Sequence, residues 1–262
     1  MKSYLHYTAK EMVDMLYRKE VSPIELLDEM TQRITKDQHV NAVVQLEYQR
    51  AIDLAKRYNP PKGAQKHNHL YGLPLLSKAL VSVEGFKHTS CSPIHKERVA
   101  TSTDWHAKHL ESHSGGIILG LTNSPEYGAG GNTFNALYGR TKNPWNLSLN
   151  SGGSSGGSAA ALASGQCWLA DGSDYAGSIR LPAGYCGVVG LRPSQGVVPA
   201  AFPSSIPAVI GPMARNVTDT ALFLDALCYY EPKDPSSIPL KKTNHQKAIL
   251  RAKPPKKNIH QP

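Results

Sequence analysis

Glycine and serine are concentrated in residues 151–180, and this stretch restricts the fold more than any other feature of the chain. Two clusters, 151–158 (SGGSSGGS) and 172–178 (GSDYAGS), flank a run of small and apolar residues. Glycine loses more conformational freedom on folding than any other residue, so its clustering indicates that the backbone must approach something closely. Bare backbone N–H groups in such loops can bind developing negative charge. The stretch therefore predicts a binding or catalytic site.

Three other interpretations of these clusters are weaker. A flexible linker would be uniformly polar, whereas residues 159–163 predict a packed helix and 167–170 a buried strand. Residues 152–156 match the G-x-S-x-G elbow around Ser154, but 143–150 is turn-like and only His245 and His260 follow, both in a polar segment. A phosphate-binding loop would need a lysine directly after its second glycine, and the sequence has none there.

Ser178 follows Gly177 and precedes Ile179, as expected for a nucleophile at a turn that enters a regular element. A serine without a usable histidine needs another base to remove its proton. A lysine kept neutral by burial can serve as that base.

The chain resembles the amidase signature family, whose members hydrolyse amides with a Ser-Ser-Lys triad. The resemblance extends from near the start of the chain to about Pro235 and is carried by several motifs in order. These are 72–78 (GLPLLSK), 122–128 (TNSPEYG), 138–145 (YGRTKNPW), 151–158, 172–182, 186–193 (CGVVGLRP) and 211–215 (GPMAR).

The resemblance implies catalytic roles for three residues: Ser178 as nucleophile, Ser154 as bridging serine and Lys78 as base. The apolar residues on both sides of Lys78 favour its burial, which would keep its amine neutral. In the family a cis peptide bond precedes the bridging serine, here between Gly153 and Ser154.

The same resemblance places an oxyanion hole at the nucleophile loop. Its donors would be the backbone N–H groups of Tyr175, Ala176, Gly177 and Ser178. Supporting roles fall to Gly153, Ser155, Asp174 and Arg180.

Each of these residues also has a purely structural interpretation. A lone lysine is usually a solvated charge, and serines in glycine-rich turns are mostly caps. Asp174 could be a helix cap and Arg180 a surface residue. The order of the motifs favours the catalytic interpretation.

The sequence departs from the family pattern at two site positions. Ala79 stands where an aspartate commonly follows the lysine, which removes a hydrogen-bonding side chain. Ala176 stands where the loop usually has glycine. A positive φ at Ala176 would cost about 1–2 kcal/mol.

The largest departure is length, because 262 residues are considerably fewer than family enzymes have. We therefore expect a C-terminally truncated member with two parts: 1–235, the N-terminal portion of an amidase signature domain, and 236–262, a basic tail without ordered structure. The net charge of +9 comes from 29 basic and 20 acidic residues, and seven of the basic ones lie in 241–257. Without these seven residues the net charge is about +2, which does not suggest specific nucleic-acid binding.

Local patterns predict several elements. Capping boxes at Thr8–Glu11 and Ser22–Glu25 predict two helix starts. Strands are predicted at 41–46, 117–121 and 187–191, and helices at 51–58 and 222–227. Their alternation predicts an α/β fold. The resemblance specifies a mixed β-sheet core covered by helices on both faces, incomplete at the C-terminus.

Four cysteines without metal-ligand spacing predict reduced thiols. Neither a signal peptide nor an apolar stretch of 18 residues is present in the sequence. Together these features predict a cytoplasmic protein.

The sequence thus predicts a hydrolase of carbon–nitrogen bonds in small amides, acting through an acyl-enzyme intermediate without metal or organic cofactor. The alternatives are a catalytically impaired amidase-like protein, a non-catalytic interaction module and an amidotransferase-type subunit. Loss of sheet strands would leave an exposed edge, which predicts self-association and turnover below that of full-length relatives.

Overall fold

A computed structural model describes residues 4–63, 65–200, 207–239 and 244–253. Its helices are α1 (Ala9–Tyr17), α2 (Pro23–Lys36), α3 (Tyr48–Arg57), α4 (Trp105–Ser112), α5 (Gly156–Ala163), α6 (Arg180–Cys186), α7 (Val217–Leu227) and α8 (His245–Arg251). Its strands are β1 (Val43–Leu46), β2 (Pro74–Lys78), β3 (Ile117–Thr122), β4 (Phe134–Asn135), β5 (Gly139–Arg140), β6 (Lys142–Asn143), β7 (Asn146–Asn150), β8 (Leu169–Asp174), β9 (Val189–Gly190) and β10 (Val209–Ala214).

Within the described residues, six strands form the central sheet in the order β1-β3-β2-β8-β10-β9. β2 is parallel to both β3 and β8, and the other pairs are antiparallel, so the sheet is mixed as predicted. Every residue of β2 and β3 is buried. Because successive strand residues point to opposite faces, this burial means that both faces of the sheet centre are covered.

The predicted helix starts are confirmed. Thr8 and Ser22 each accept a hydrogen bond from the glutamate N–H three residues on, and each glutamate accepts one in return. Four apolar side chains of α2 face the core, at Leu26, Leu27, Met30 and Ile34.

Helix α5 packs so closely against the chain after β3 that one position must be glycine. A Cβ added to Gly157 would lie 2.3 Å from the Asn123 nitrogen and 2.5 Å from its oxygen. This contact brings the first Gly/Ser cluster against the C-terminal end of the parallel strands.

The structure corrects three local predictions. Residues 187–191 contain only the two-residue strand β9, because Gly187 ends α6 in a left-handed conformation with φ of 69°. Residues 143–150 are not turn-like, since β7 pairs with β6 in an exposed hairpin. The helix predicted at 51–58 begins earlier, at Tyr48.

Part of the segment predicted to lack order is helical. Asn244 caps α8, and the Asp225 carboxylate on α7 accepts from the backbone N–H groups of His245 and Gln246. The His245 ring also lies 2.6 Å from Asp225. A buried acid therefore orders this stretch, while 240–243 and 254–262 lie outside the described residues.

All four cysteines carry free thiols, as predicted. None of the helices in the described ranges is both long and apolar enough to cross a membrane.

Candidate active site

Lys78 is the last residue of β2, and its side chain is fully buried in the middle of the sheet. Its Nζ lies 2.6 Å from the Oγ of Ser154 and 2.9 Å from the Oγ of Ser173. Burial lowers the pKa of Lys78 to about 7, although the negative charge of Asp171 opposes this shift. A substantial fraction of the amine is therefore neutral near pH 7 and able to accept a proton.

Ser154 belongs to a fully buried loop, residues 151–155, which excludes the linker interpretation. The peptide bond between Gly153 and Ser154 is cis, as the resemblance implies. A Cβ on Gly153 would lie 2.8 Å from the Gly130 oxygen, so glycine is required here. Thr133, which is not part of this loop, holds it in place. Its hydroxyl donates to the Gly152 carbonyl oxygen at 2.9 Å and accepts from the Gly156 N–H.

Ser178 lies just before α6 and is half-buried. Its carbonyl accepts a hydrogen bond from the Ser155 N–H at 3.0 Å. The loop at 175–178 and the loop of Ser154 are thus joined through their backbones. The structure brings the side chains of Lys78 and Ser154 into contact and joins Ser178 through its carbonyl to Ser155, the residue after Ser154.

Asp174, at the end of β8, organises the loop at 175–178. Its buried carboxylate accepts from the N–H groups of Gly177 at 2.8 Å and Ile179 at 3.1 Å, and from two nitrogens of the Arg180 guanidinium at 3.0 Å. Burial alone would raise the pKa of Asp174, but these bonds lower it to about 2. The carboxylate is therefore ionised across the neutral range.

The four predicted oxyanion donors differ in their environment. The Gly177 N–H already donates to Asp174, so it is committed within the loop. Tyr175 and Ala176 lie at the exposed tip. The positive φ of this loop belongs to Gly177, at 111°, and Ala176 is not among the residues with positive φ. The alanine at 176 therefore carries no left-handed strain.

Three neighbours of Lys78 were missed from the sequence: Ser173, Asp171 and His106. Ser173 contacts the Lys78 amine directly. The buried Asp171 carboxylate accepts from the Ser77 hydroxyl at 2.5 Å and from the Lys78 N–H at 2.8 Å. Period-two alternation along β8 puts Asp171 and Ser173 on one face, but only the pairing of β8 with β2 shows that Lys78 lies beside them.

A cavity of about 230 Å³ adjoins the buried amine. Its polar lining comes from Lys78, His88, Asp104, His106 and Ser173. The predicted supporting residue Ser155 lies nearby. Its hydroxyl is 3.3 Å from both the carbonyl oxygen and the backbone nitrogen of Ser173.

Comparison with known proteins finds one family model and several relatives that match most of this chain. The sequence model of the Amidase family matches residues 25–259, so the similarity continues beyond the predicted limit at Pro235. An acylamidase of Rhodococcus erythropolis is 38% identical over 250 residues, which cover 93% of this chain and 52% of the relative. A glutamyl-tRNA(Gln) amidotransferase subunit of Halothermothrix orenii is 40% identical over 243 residues, covering 91% and 49%.

Solved structures agree in fold. A bacterial aryl acylamidase of the amidase signature enzymes superposes with a TM-score of 0.85 at 32% identity, over 93% of this chain and 51% of that one. A 6-aminohexanoate cyclic dimer hydrolase complexed with substrate gives 0.84 at 31% identity, over 94% and 51%. The chain spans about half the length of these relatives.

Proposed function

Because the chain belongs to the amidase signature family, we propose that it hydrolyses carbon–nitrogen bonds of small amides through Ser178, Ser154 and Lys78. The observation that carries this proposal is the contact between the buried Lys78 amine and the Ser154 hydroxyl. A lysine in this environment is a base near neutral pH rather than a fixed charge.

The reaction we propose begins with proton transfer. The Ser178 hydroxyl gives its proton to Ser154, and Ser154 gives its own to the neutral Lys78 amine. The Ser178 oxygen then bonds to the amide carbon, and the tetrahedral oxyanion is held by backbone N–H groups of the loop at 175–178. Because Gly177 already serves Asp174, we assign the main donor role to the remaining N–H groups.

The second half regenerates the site. The proton on Lys78 returns through Ser154 to the leaving amine, and the carbon–nitrogen bond breaks to give an ester on Ser178. Water then attacks this ester and loses a proton through Ser154 to Lys78. That proton returns through Ser154 to the Ser178 oxygen as the ester bond breaks and the carboxylic acid leaves. The scheme is ping-pong and uses only groups of this chain.

Hydrolysis of small aryl amides, such as a nitroanilide, tests the proposal. We expect Ser178→Ala, Ser154→Ala and Lys78→Ala each to lower kcat by at least about a hundredfold, since members of one catalytic unit fail together. Ser148→Ala, a change in the exposed β6–β7 hairpin, is the matched control and should retain activity. Activity unchanged by all three site variants would refute the proposal.

A second candidate is the ammonia-releasing component of an amidotransferase. It is favoured by relatives that are named as subunits of glutamyl-tRNA(Gln) amidotransferase, at 36–40% identity. The two candidates share the same acyl-enzyme chemistry and differ in substrate. Release of glutamate from glutamine, without hydrolysis of aryl amides, would select the second candidate.

A further inference from the structure

Asp171 is a fully buried acid that the proposed chemistry does not use. Both of its carboxylate oxygens accept hydrogen bonds from consecutive residues of β2. Oδ2 accepts from the Ser77 hydroxyl at 2.5 Å, and Oδ1 accepts from the Lys78 N–H at 2.8 Å. Asp171 therefore binds the end of β2, where Lys78 carries the amine that we propose as the base.

A buried carboxylate is costly unless positive charge lies nearby. Burial raises the pKa of Asp171, while His106, the hydrogen bonds from β2 and the Lys78 charge act in the opposite direction. The His106 Nε2 on α4 lies 3.8 Å from Oδ2. This nitrogen is buried and, among the described residues, has no hydrogen-bond partner. It faces the carboxylate without donating a hydrogen bond to it, and the Lys78 charge also acts on Asp171.

Among the titratable groups that raise the pKa of Lys78, Asp171 has the largest effect, ahead of Cys91 and Asp174. Burial raises the pKa of the Cys91 thiol to about 11, which keeps it neutral at pH 7. Asp174 is already paired with Arg180. Across the cavity, Asp104 accepts from the Ser82 N–H, and burial lowers the pKa of His88, which favours its neutral form.

We propose that Asp171 is a positioning residue that fixes Lys78 against Ser154 and balances the positive charge that forms when Lys78 takes up a proton. This inference deepens the proposed function and rests on it. Ser77 and His106 act through Asp171. Ser77 holds the carboxylate in place, and His106 faces its Oδ2 atom.

Titration of the Lys78 amine tests the inference directly. The probe is the Nζ signal of the full chain labelled with ¹⁵N-lysine, assigned by its loss in Lys78→Arg. Removing an anion beside a lysine destabilises the ammonium form. We expect Asp171→Asn to move the Lys78 midpoint down by about one pH unit. The matched control Asp104→Asn, which removes an acid from the same cavity, should move it by less than about 0.3 unit.

Ser77→Ala provides a milder variant should Asp171→Asn fail to fold. It removes one of the donors that favour the carboxylate form of Asp171, so the Lys78 midpoint should fall by less than in Asp171→Asn. Midpoints unchanged in the folded variants would overturn the inference. Because the signal is read without substrate, this outcome is distinct from failure of the proposed function, which would appear as absent nitroanilide hydrolysis in the unmodified chain. With hydrolysis present, Asp171→Asn should lower kcat several-fold at unchanged KM.

Discussion

The Nζ of Lys78 and the Oγ of Ser154 lie 2.6 Å apart, although 76 residues separate them in sequence. The lysine ends a central parallel strand, and the serine lies in the loop that leads into α5. Both side chains are buried, so their contact is shielded from water and a proton can pass between them.

Burial of Lys78 predicts a specific pH dependence of stability. Burial lowers the pKa of Lys78 to about 7 in the folded chain, compared with 10.5 when unfolded. Between these values the unfolded state binds more protons, so the free energy of unfolding rises with pH. Relative to Lys78→Met, the wild type should gain about 1.4 kcal/mol per pH unit from pH 7.5 to 9 in urea titrations.

Well below pH 7 both states hold the proton, and the difference between the two proteins should no longer change with pH. Lys56→Met, at an exposed position of α3, is the matched control and should show no such slope. A difference in the free energy of unfolding between wild type and Lys78→Met that stays constant from pH 7.5 to 9 would show that the buried amine keeps its proton.

Asp174 predicts a loss of stability at acid pH. Its pKa is about 2 in the folded chain and 3.8 when unfolded, so its stabilising effect is present above pH 4 and disappears as the pH falls toward 2. Asp174→Asn should therefore cost about 2 kcal/mol at pH 5 and progressively less below pH 4.

The comparison for Asp174 is Arg180→Ala, measured by the same denaturant titrations. Arg180 is more than half exposed, so its loss should destabilise the chain clearly less than Asp174→Asn does. A larger effect from Arg180 than from Asp174 would contradict the view that backbone donors carry the interaction.

Gly157 should not tolerate a methyl group. The added Cβ would overlap backbone atoms of Asn123, which cannot move without disturbing β3. We expect Gly157→Ala to destabilise the fold by more than about 2 kcal/mol in chemical denaturation. Gly184→Ala in α6, where the new Cβ meets no atom within 4 Å, should be neutral or stabilising through higher helix propensity. Equal effects at the two positions would refute the packing argument.

Helix α8 should depend on Asp225. Removing this carboxylate leaves the first turn of α8 without the acceptor for His245 and Gln246. We expect Asp225→Ala to make the amides at 248–251 exchange their hydrogens rapidly with solvent, while the central sheet stays protected from exchange. The exposed Lys247→Ala should leave exchange unchanged. Retained protection in Asp225→Ala would mean that other contacts hold the helix.

The parts of the fold that were predictable are those encoded locally. Thr8 and Ser22 mark helix starts through side chains three residues apart, and the apolar residues around Lys78 predict its burial. The family motifs pointed to Lys78, Ser154, Ser178 and Asp174 as candidate site residues, and their roles stay a prediction.

What escaped prediction depends on contacts between distant segments. Asp171 and Ser173 reach Lys78 only because β8 lies parallel to β2 with Leu76 opposite Ala170. Helix α8 was missed because its stability comes from Asp225, twenty residues away, and not from its own composition. No local pattern carries either relationship.

Covalent labelling of the serine tests the central claim most directly. A fluorophosphonate probe reacts with an activated serine hydroxyl, and peptide mass spectrometry identifies the modified residue. The proposed triad predicts one adduct, on Ser178, that disappears in Ser178→Ala and is strongly reduced in Lys78→Ala. An adduct on Ser154 that persists in Ser178→Ala would contradict the account and favour Ser154 as the nucleophile.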